Sequence, residues 1–217
     1  MEADERSRLH RQANGGSFLL AGYGRLLYRI YIGSNADGKA GMDMSGSKIR
    51  KARRADIGEI MALIAKCVQV MQDGGSDQWD DKYPNREIIT QDLDKGTLFV
   101  YEEQAAISGI MVLDEDQAEQ YEAIRWSQEQ GAHLIMHRLA VHPEVQGKGI
   151  ARKLVAFAEE LARSGGYSSI RLDTYAKNTR ALALYPSLGY ERRGEVDFPG
   201  RTANFPVFEK VLTSEAE

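Results

Sequence analysis

Leu134-Ile-Met-His-Arg-Leu-Ala-Val141 is followed, four residues later, by Gln146-Gly147-Lys148-Gly149-Ile150-Ala151. The first run reads as a buried strand. The second opens a pattern with Ile150, Leu154, Ala158 and Leu161 at helical spacing, closed by Gly165-Gly166. A strand that feeds a glycine turn at a helix start gathers several unpaired backbone N–H groups in one place. Together with the positive end of the helix dipole they form an anion site suited to a pyrophosphate. Gly147 and Gly149 let main chain approach a ligand with no Cβ between them, and Lys148 adds a mobile positive charge.

On either side of this junction the chain alternates strands and helices. The spacing predicts a strand over Lys48 to Arg53. A helix follows with Asp56 as N-cap, Glu59 completing a capping box, and Ile57, Ile60, Ile64, Val68 and Met71 on one face. Asp73-Gly-Gly-Ser-Asp breaks it, and Asn85 to Leu93 reads as a shorter helix stopped by Gly96. Thr97 to Tyr101 and Ala105 to Leu113 read as a hairpin turning at Glu102-Glu-Gln, and His133 to Val141 as the next strand. Beyond the glycine turn come a strand over Ser168 to Tyr175, a helix over Thr179 to Leu188, and two closing strands, Tyr190 to Glu195 and Asn204 to Leu212. Strands interleaved with helices in this order imply an α/β fold.

The 217 residues suffice for one full core plus an appendage. With 28 % charged and 42 % hydrophobic residues the composition is that of a soluble globular protein. A net charge of −4 without a long basic run argues against nucleic acid and fits a cationic or amine partner better. A single cysteine, Cys67, excludes an intrachain disulfide and suits a reducing, cytoplasmic setting. Its apolar helical neighbours mark it as core filler. His10, His133, His137 and His142 show no metal-ligand spacing, so no metal is expected. Residues 1–46 read as an extension, flexible or foreign to the domain that runs from Ser47 to the C-terminus. Phe18 to Ile32 is apolar but interrupted by Arg25 and Arg29, too short and too charged for a membrane span. Gly33 to Ser47 has linker composition, and Met42 and Met44 would allow a later start.

The glycine turn has a second element downstream, Asn178-Thr-Arg-Ala-Leu-Ala-Leu184-Tyr185-Pro-Ser-Leu-Gly189-Tyr190. Together the segment from His133 to Gly194 resembles the core of the GNAT superfamily of N-acetyltransferases, and the resemblance extends over about Ser47 to Leu212. Gln146, Gly149 and Ala151 fill its Q/R-x-x-G-x-G/A turn. Asn178, Leu184, Tyr185, Gly189 and Tyr190 fill its later Asn and Leu-Tyr-x-x-x-Gly-aromatic pattern. The motifs look nearest to the ribosomal-protein alanine acetyltransferase group. The resemblance implies a mixed, mostly antiparallel sheet flanked by helices, its fourth and fifth strands splayed apart. It also implies acetyl-CoA as co-substrate, bound by the turn and by the strand end Leu139, Ala140 and Val141, with free main-chain groups at Leu139 and Val141.

Acetyl transfer needs the thioester held in line, a proton taken from the amine and a proton given to the thiolate. The resemblance assigns Tyr185 as general acid and Asn178 as a cofactor contact, with a plain N-cap as the alternative for the asparagine. For the base two residues stay open. Asp173 shares a strand face with Arg171 and Tyr175 by alternation, and His137 by the same count shares one with Leu139 and Val141. Trp79 and Tyr83, in the loop between the first two helices, are candidates for the acceptor wall; Trp79 as hydrophobic anchor of that loop is the alternative. Asp114 to Gly131 is long for a strand connection and reads as a short helix or flap. The expected reaction is direct attack by a primary amine, from a small molecule or a peptide, in a ternary complex. A homodimer through the closing strands fits the family. The competing readings are a CoA-binding regulatory module without catalysis, and transfer of a longer acyl chain.

Overall fold

The computed structural model describes residues 46–212; the extension expected over residues 1–46, apart from Gly46, lies outside them. Seven strands form one sheet in the order β1-β2-β3-β4-β5-β7-β6. They are β1 Ser47–Lys51, β2 Leu98–Glu103, β3 Ala106–Asp114, β4 His133–Val141, β5 Ser169–Asp173, β6 Glu191–Val196 and β7 Phe205–Val211. All pairings are antiparallel except that of β4 with β5. Four α-helices, α1 Ile57–Asp73, α2 Arg86–Lys95, α3 Ile150–Ser164 and α4 Thr179–Ser187, connect them in the order the sequence predicts.

Each helix is tied to the sheet by its apolar stripe. In α1, Ile57, Ile60, Leu63, Ile64 and Cys67 are buried, and the last four pack with Leu98, Val100, Ile110, Val112 and Ala140. In α2 the side chain of Asn85 caps Ile88 N–H, and Gly96 at φ 72° ends the helix with a left-handed residue. On the opposite face α3 comes close because residue 109 is glycine. A Cβ there would stand 3.1 Å from Leu154 Cδ1, 3.2 Å from Ile150 Cγ2 and 3.3 Å from Ala140 O.

Two local expectations are corrected, and a third is decided in favour of its short-helix alternative. Asp56 makes no side-chain cap on α1. Its carboxylate pairs with Arg50 at 2.6 Å, and Glu59 accepts from Ile107 N–H instead; long-range partners have displaced the capping box. The β2–β3 turn sits at Gln104 and Ala105, both at positive φ, and a bulge between Tyr101 and Glu102 restores the register. The segment Asp114 to Gly131 is no free flap. It contains a 3-10 turn over Glu119–Ala123 and is fastened to the sheet by Glu209 and Arg171, a buried ion pair at 3.2 Å. Glu209 accepts from Ser127 N–H at 2.7 Å, while Arg171 donates to Gln117 Oε1 and Gln128 O and lies 4.1 Å from the Trp126 ring centre.

Candidate active site

The ladder between β4 and β5 covers three residue pairs, His133↔Ser169, Leu134↔Ile170 and Ile135↔Arg171. Beyond Ile135 the two strands are no longer laddered together, so a notch opens between them at the end where β4 leads into the glycine turn. Which main-chain groups face the notch follows from the β3–β4 ladder. His142 N–H donates to Ser108 O at 2.9 Å, and Gly109 and Ile110 stand opposite Val141 and Ala140. In an antiparallel pair the bonding direction alternates residue by residue. Ala140 therefore turns its polar groups to β3, and Leu139 and Val141 turn theirs to the notch. The main chain of Ala140 is thus committed to the sheet, and the free groups are those of Leu139 and Val141, as the resemblance implies.

The same ladder carries a bulge. Val112 pairs with His137 and Ile110 with Ala140, so Arg138 and Leu139 together stand opposite Met111. Arg138 takes up the extra residue at φ 51°, a left-handed conformation. The bulge inverts the phase of the strand, so His137 shares its face with Ala140 and not with Leu139 and Val141. A simple count of twos therefore fails here. His137 Nε2 is 3.0 Å from Asp114 Oδ1.

At the open end, Gly147 and Gly149 adopt φ 83° and 81°, and a Cβ at either would meet no heavy atom within 4 Å. The glycines are required by the turn's backbone, and the space above them is clear. Gly149 is the N-cap of α3 and offers no side-chain cap, which leaves the amides at the start of α3, Ile150 and Ala151 among them, available to an anion. Lys148 is exposed. Gln146 bridges the site: its Nε2 donates to Val141 O at 3.1 Å and its Oε1 accepts from Arg180 at the start of α4. The Cys67 thiol also approaches Val141 O, at 3.6 Å, and burial pushes its pKa up to about 11. Such a thiol is no nucleophile at neutral pH.

Tyr185, 5 % exposed, packs on Tyr190 and Phe208 with ring centres 5.8 Å apart in both cases. Its hydroxyl makes no hydrogen bond to another described residue. Burial first, and the charge of Asp173 second, hold this phenol above its usual pKa. Asp173 lies on the same sheet face as Arg171 and accepts from Tyr121 Oη at 2.7 Å. Burial raises its pKa, while Tyr121 and the charge of His137 act the other way. Asp173, Tyr185, His137 and Tyr121 thus share one electrostatic neighbourhood. Tyr121 belongs to the Asp114 to Gly131 segment that the sequence marks as shaping the acceptor site, but its pairing with Asp173, 52 positions away, has no local signal. Asn178 caps α4 through Ala181 N–H at 3.1 Å and also donates from Nδ2 to Gln78 Oε1 at 3.2 Å.

The acceptor loop is built differently from expectation. Trp79 is 5 % exposed and belongs to the core beneath α1. It anchors the loop, the alternative left open by the sequence, and what surface it keeps lines a cavity with Asp77, Asp80, Lys177 and Arg201. Tyr83 is half-buried, its hydroxyl accepting from Arg138 at 3.1 Å. Asp77 accepts from Thr202 N–H at 2.8 Å and from Tyr175, and Arg201 pairs with Asp80 at 2.8 Å. These bonds fasten the loop to the segment between β6 and β7. Among the described residues no group of three or more His, Cys, Asp and Glu could hold a metal ion, and no helix is long and apolar enough to cross a membrane.

The model of the Acetyltransferase (GNAT) family matches residues 63–190. The chain belongs to the GNAT acetyltransferase family. Among its GNAT relatives is the uncharacterized N-acetyltransferase YesJ of Bacillus subtilis, 26 % identical over 163 residues, 74 % of this chain and 87 % of YesJ. Human N-acetyltransferase 8B is 40 % identical over 65 residues, 30 % of this chain and 29 % of that protein. A GNAT-family acetyltransferase of Streptococcus agalactiae superposes with a TM-score of 0.69 at 28 % identity, covering 80 % of this chain and 99 % of that one. The yncA protein of Salmonella typhimurium, solved with its cofactor acetyl-CoA, shares the fold at TM-score 0.59 and 20 % identity, over 80 % and 98 % of the two chains. The ribosomal-protein-S18-alanine N-acetyltransferase of Escherichia coli shares it at TM-score 0.57 and 12 % identity, over 79 % and 97 %. That is a likeness of fold alone and does not single out the alanine acetyltransferase group.

Proposed function

We propose that this GNAT protein transfers the acetyl group of acetyl-CoA to a primary amine, by direct attack in a ternary complex. One observation carries this: the notch between β4 and β5, with the outward-turned main chain of Leu139 and Val141, ends on the uncapped, glycine-led start of α3. The residues present fit the ligand. The clear space above Gly147 and Gly149 admits a diphosphate, with the first amides of α3 and Lys148 to hold it. Leu139 and Val141 offer main-chain partners for the pantetheine amides. Bound acetyl-CoA supplies an activated thioester.

The chain's own groups then meet the remaining demands. The N–H of Leu139 in the notch polarises the carbonyl. Asp173, whose proton affinity is raised by burial, accepts the amine proton, oriented by Tyr121. His137, tied to Asp114, lies on the same face and is the second candidate for that step. Tyr185, kept protonated by burial, donates to the leaving sulfur. Cys67 carries no acyl group, since it is buried and held as a thiol. The acceptor is a small-molecule or peptide amine, entering past Tyr83 and Tyr121. The proposal includes a cytoplasmic setting and a homodimer, and no nucleic-acid or membrane partner.

Thiol release from acetyl-CoA, screened against a panel of amines with calorimetric binding of CoA in parallel, tests this. Release with at least one amine is expected. CoA binding without release from any amine would favour a regulatory module, and absence of CoA binding would refute the site itself. Longer acyl-CoA donors in the same assay decide the acyl chain.

A further inference from the structure

Arg138 is an unusual residue to find at the centre of the bulge. A left-handed conformation is where glycine normally stands, and a side chain keeps it only when its surroundings impose it. The surroundings here are specific. Arg138 Nη2 donates to Asp92 Oδ1 of α2 at 2.7 Å, and Nη1 donates to Tyr83 Oη at 3.1 Å. The pair lies inside the protein, with side-chain exposures of 14 % and 7 %. One end of the pair is therefore fixed in a helix and the other forms the kink in β4. Asp92 Oδ2 and Arg138 Nε are buried without partners. A pair evolved for stability alone would close both bonds side by side; this one holds a single direct contact while Asp92 Oδ2 and Arg138 Nε stay unmatched. Burial also raises the proton affinity of Asp92, and Arg138 opposes that.

We infer that the buried Asp92–Arg138 pair is the lock that holds the β4 bulge, and so aims the Leu139 N–H into the notch. The inference rests on the proposed acetyl transfer and deepens it. Arg138 is a positioning residue, not a catalytic one: it acts through the backbone next to it. Without the pair, residue 138 has every reason to relax to negative φ. The ladder with β3 then slips on the Arg138 side of Ala140 and Leu139 loses its aim into the notch, while Val141 stays set by His142. The turn at Gly147 and Gly149 lies beyond His142, which β3 holds independently through Ser108. Phosphate binding should therefore survive what the thioester carbonyl does not.

The test compares Arg138→Ala, Asp92→Asn, Arg138→Lys and the apolar double replacement Arg138→Met with Asp92→Leu, which keeps the volume without leaving a buried charge unpaired. Three readouts are taken: kcat and KM for acetyl-CoA, calorimetric CoA affinity, and hydrogen exchange of the amides of residues 136–141. The lock predicts a fall in kcat of about 10- to 100-fold for Arg138→Ala, Asp92→Asn and the apolar pair. CoA affinity should stay within about threefold, with partial recovery in Arg138→Lys. Exchange at Ala140, whose N–H the β3 ladder protects, should rise at least about tenfold while His133 to Ile135 stay protected. Unchanged exchange at residues 138–141 in all variants overturns the lock, as does full kcat in the apolar pair. An equal loss of kcat and CoA affinity, with general loss of protection, overturns it in favour of ordinary packing. If the wild-type protein releases thiol with no amine, the proposed function fails, and the exchange data still decide the lock.

Discussion

Replacing Tyr185 by Phe removes one hydroxyl from the centre of the site, and the structure bounds what else it can disturb. The ring's packing on Tyr190 and Phe208 is common to both residues. The hydroxyl has no hydrogen bond to another described residue. The cost in stability is then smaller than the about 1 kcal/mol that a lost hydrogen bond carries, and thermal unfolding should shift by no more than a few degrees. Activity should respond on a different scale. Loss of a positioned general acid lowers the rate by about 10²- to 10⁴-fold, equivalent to about 2.7 to 5.4 kcal/mol of transition-state stabilisation. Burial and the charge of Asp173 hold the phenol above its usual pKa. The wild-type kcat should therefore show no descending limb from this group up to about pH 10. The assay is thiol release at saturating amine, with CoA affinity by calorimetry and unfolding on the same preparations. Full kcat in Tyr185→Phe refutes the acid role. A loss of kcat matched by an equal loss of CoA affinity refutes it too, because the hydroxyl would then be a binding group.

Asp173 as base places the acidic limb of kcat/KM above the ordinary carboxylate range, since burial raises its pKa; Asp173→Asn should abolish that limb, and a limb that instead vanishes in His137→Gln transfers the role to His137. Arg171→Ala leaves Glu209 charged and buried without its main partner, so urea unfolding should show a loss of about 3–5 kcal/mol and limited proteolysis should cut between residues 115 and 131. Gly109→Ala drives a Cβ into Leu154 and Ile150 of α3; overpacking of this kind costs about 1–3 kcal/mol, and calorimetry should show weaker CoA binding because the displaced helix carries the phosphate amides. In β1, Arg50 holds the carboxyl of Asp56 below its ordinary value, and Lys48 first and Arg50 second do the same for Glu102. Folded pKa values below unfolded ones give stability that is present above about pH 4.5 and lost as pH falls through the depressed values, so Arg50→Ala should flatten the acid side of the stability profile.

Much of this site is written in local sequence. The apolar run into Gly147 and Gly149 located both the strand and the helix start, because glycine spacing and helical periodicity are short-range signals. Alternation placed Asp173 beside Arg171 correctly, since β5 has no irregularity. The same alternation misplaced His137, because the bulge one residue later is carried by an arginine and no glycine announces it. Trp79 looked like a wall residue by its polar neighbours, but an indole flanked by aspartates can still turn inward when a helix such as α1 offers an apolar seat. The pairings of Tyr121, Asp92 and Glu209 are illegible in the sequence for a shared reason. Their meaning lies in partners 38 to 52 positions away, namely Asp173, Arg138 and Arg171, and no local pattern encodes such pairs.

The short seam between β4 and β5 has a mechanical consequence. Two blocks of sheet, with largely separate cores around Ile60 and around Tyr175, share a sheet seam of only three rungs, with side-chain ties such as Arg201–Asp80 and Arg180–Gln146 across the gap. From the last rung, Ile135, to the tip at Val141 is about 20 Å of extended chain. A tilt of about 3° at the joint thus swings the tip by about 1 Å, a displacement able to change a rate by about two orders of magnitude. Substitutions near His133 or Ser169, remote from any reacting atom, are therefore placed to tune turnover by leverage.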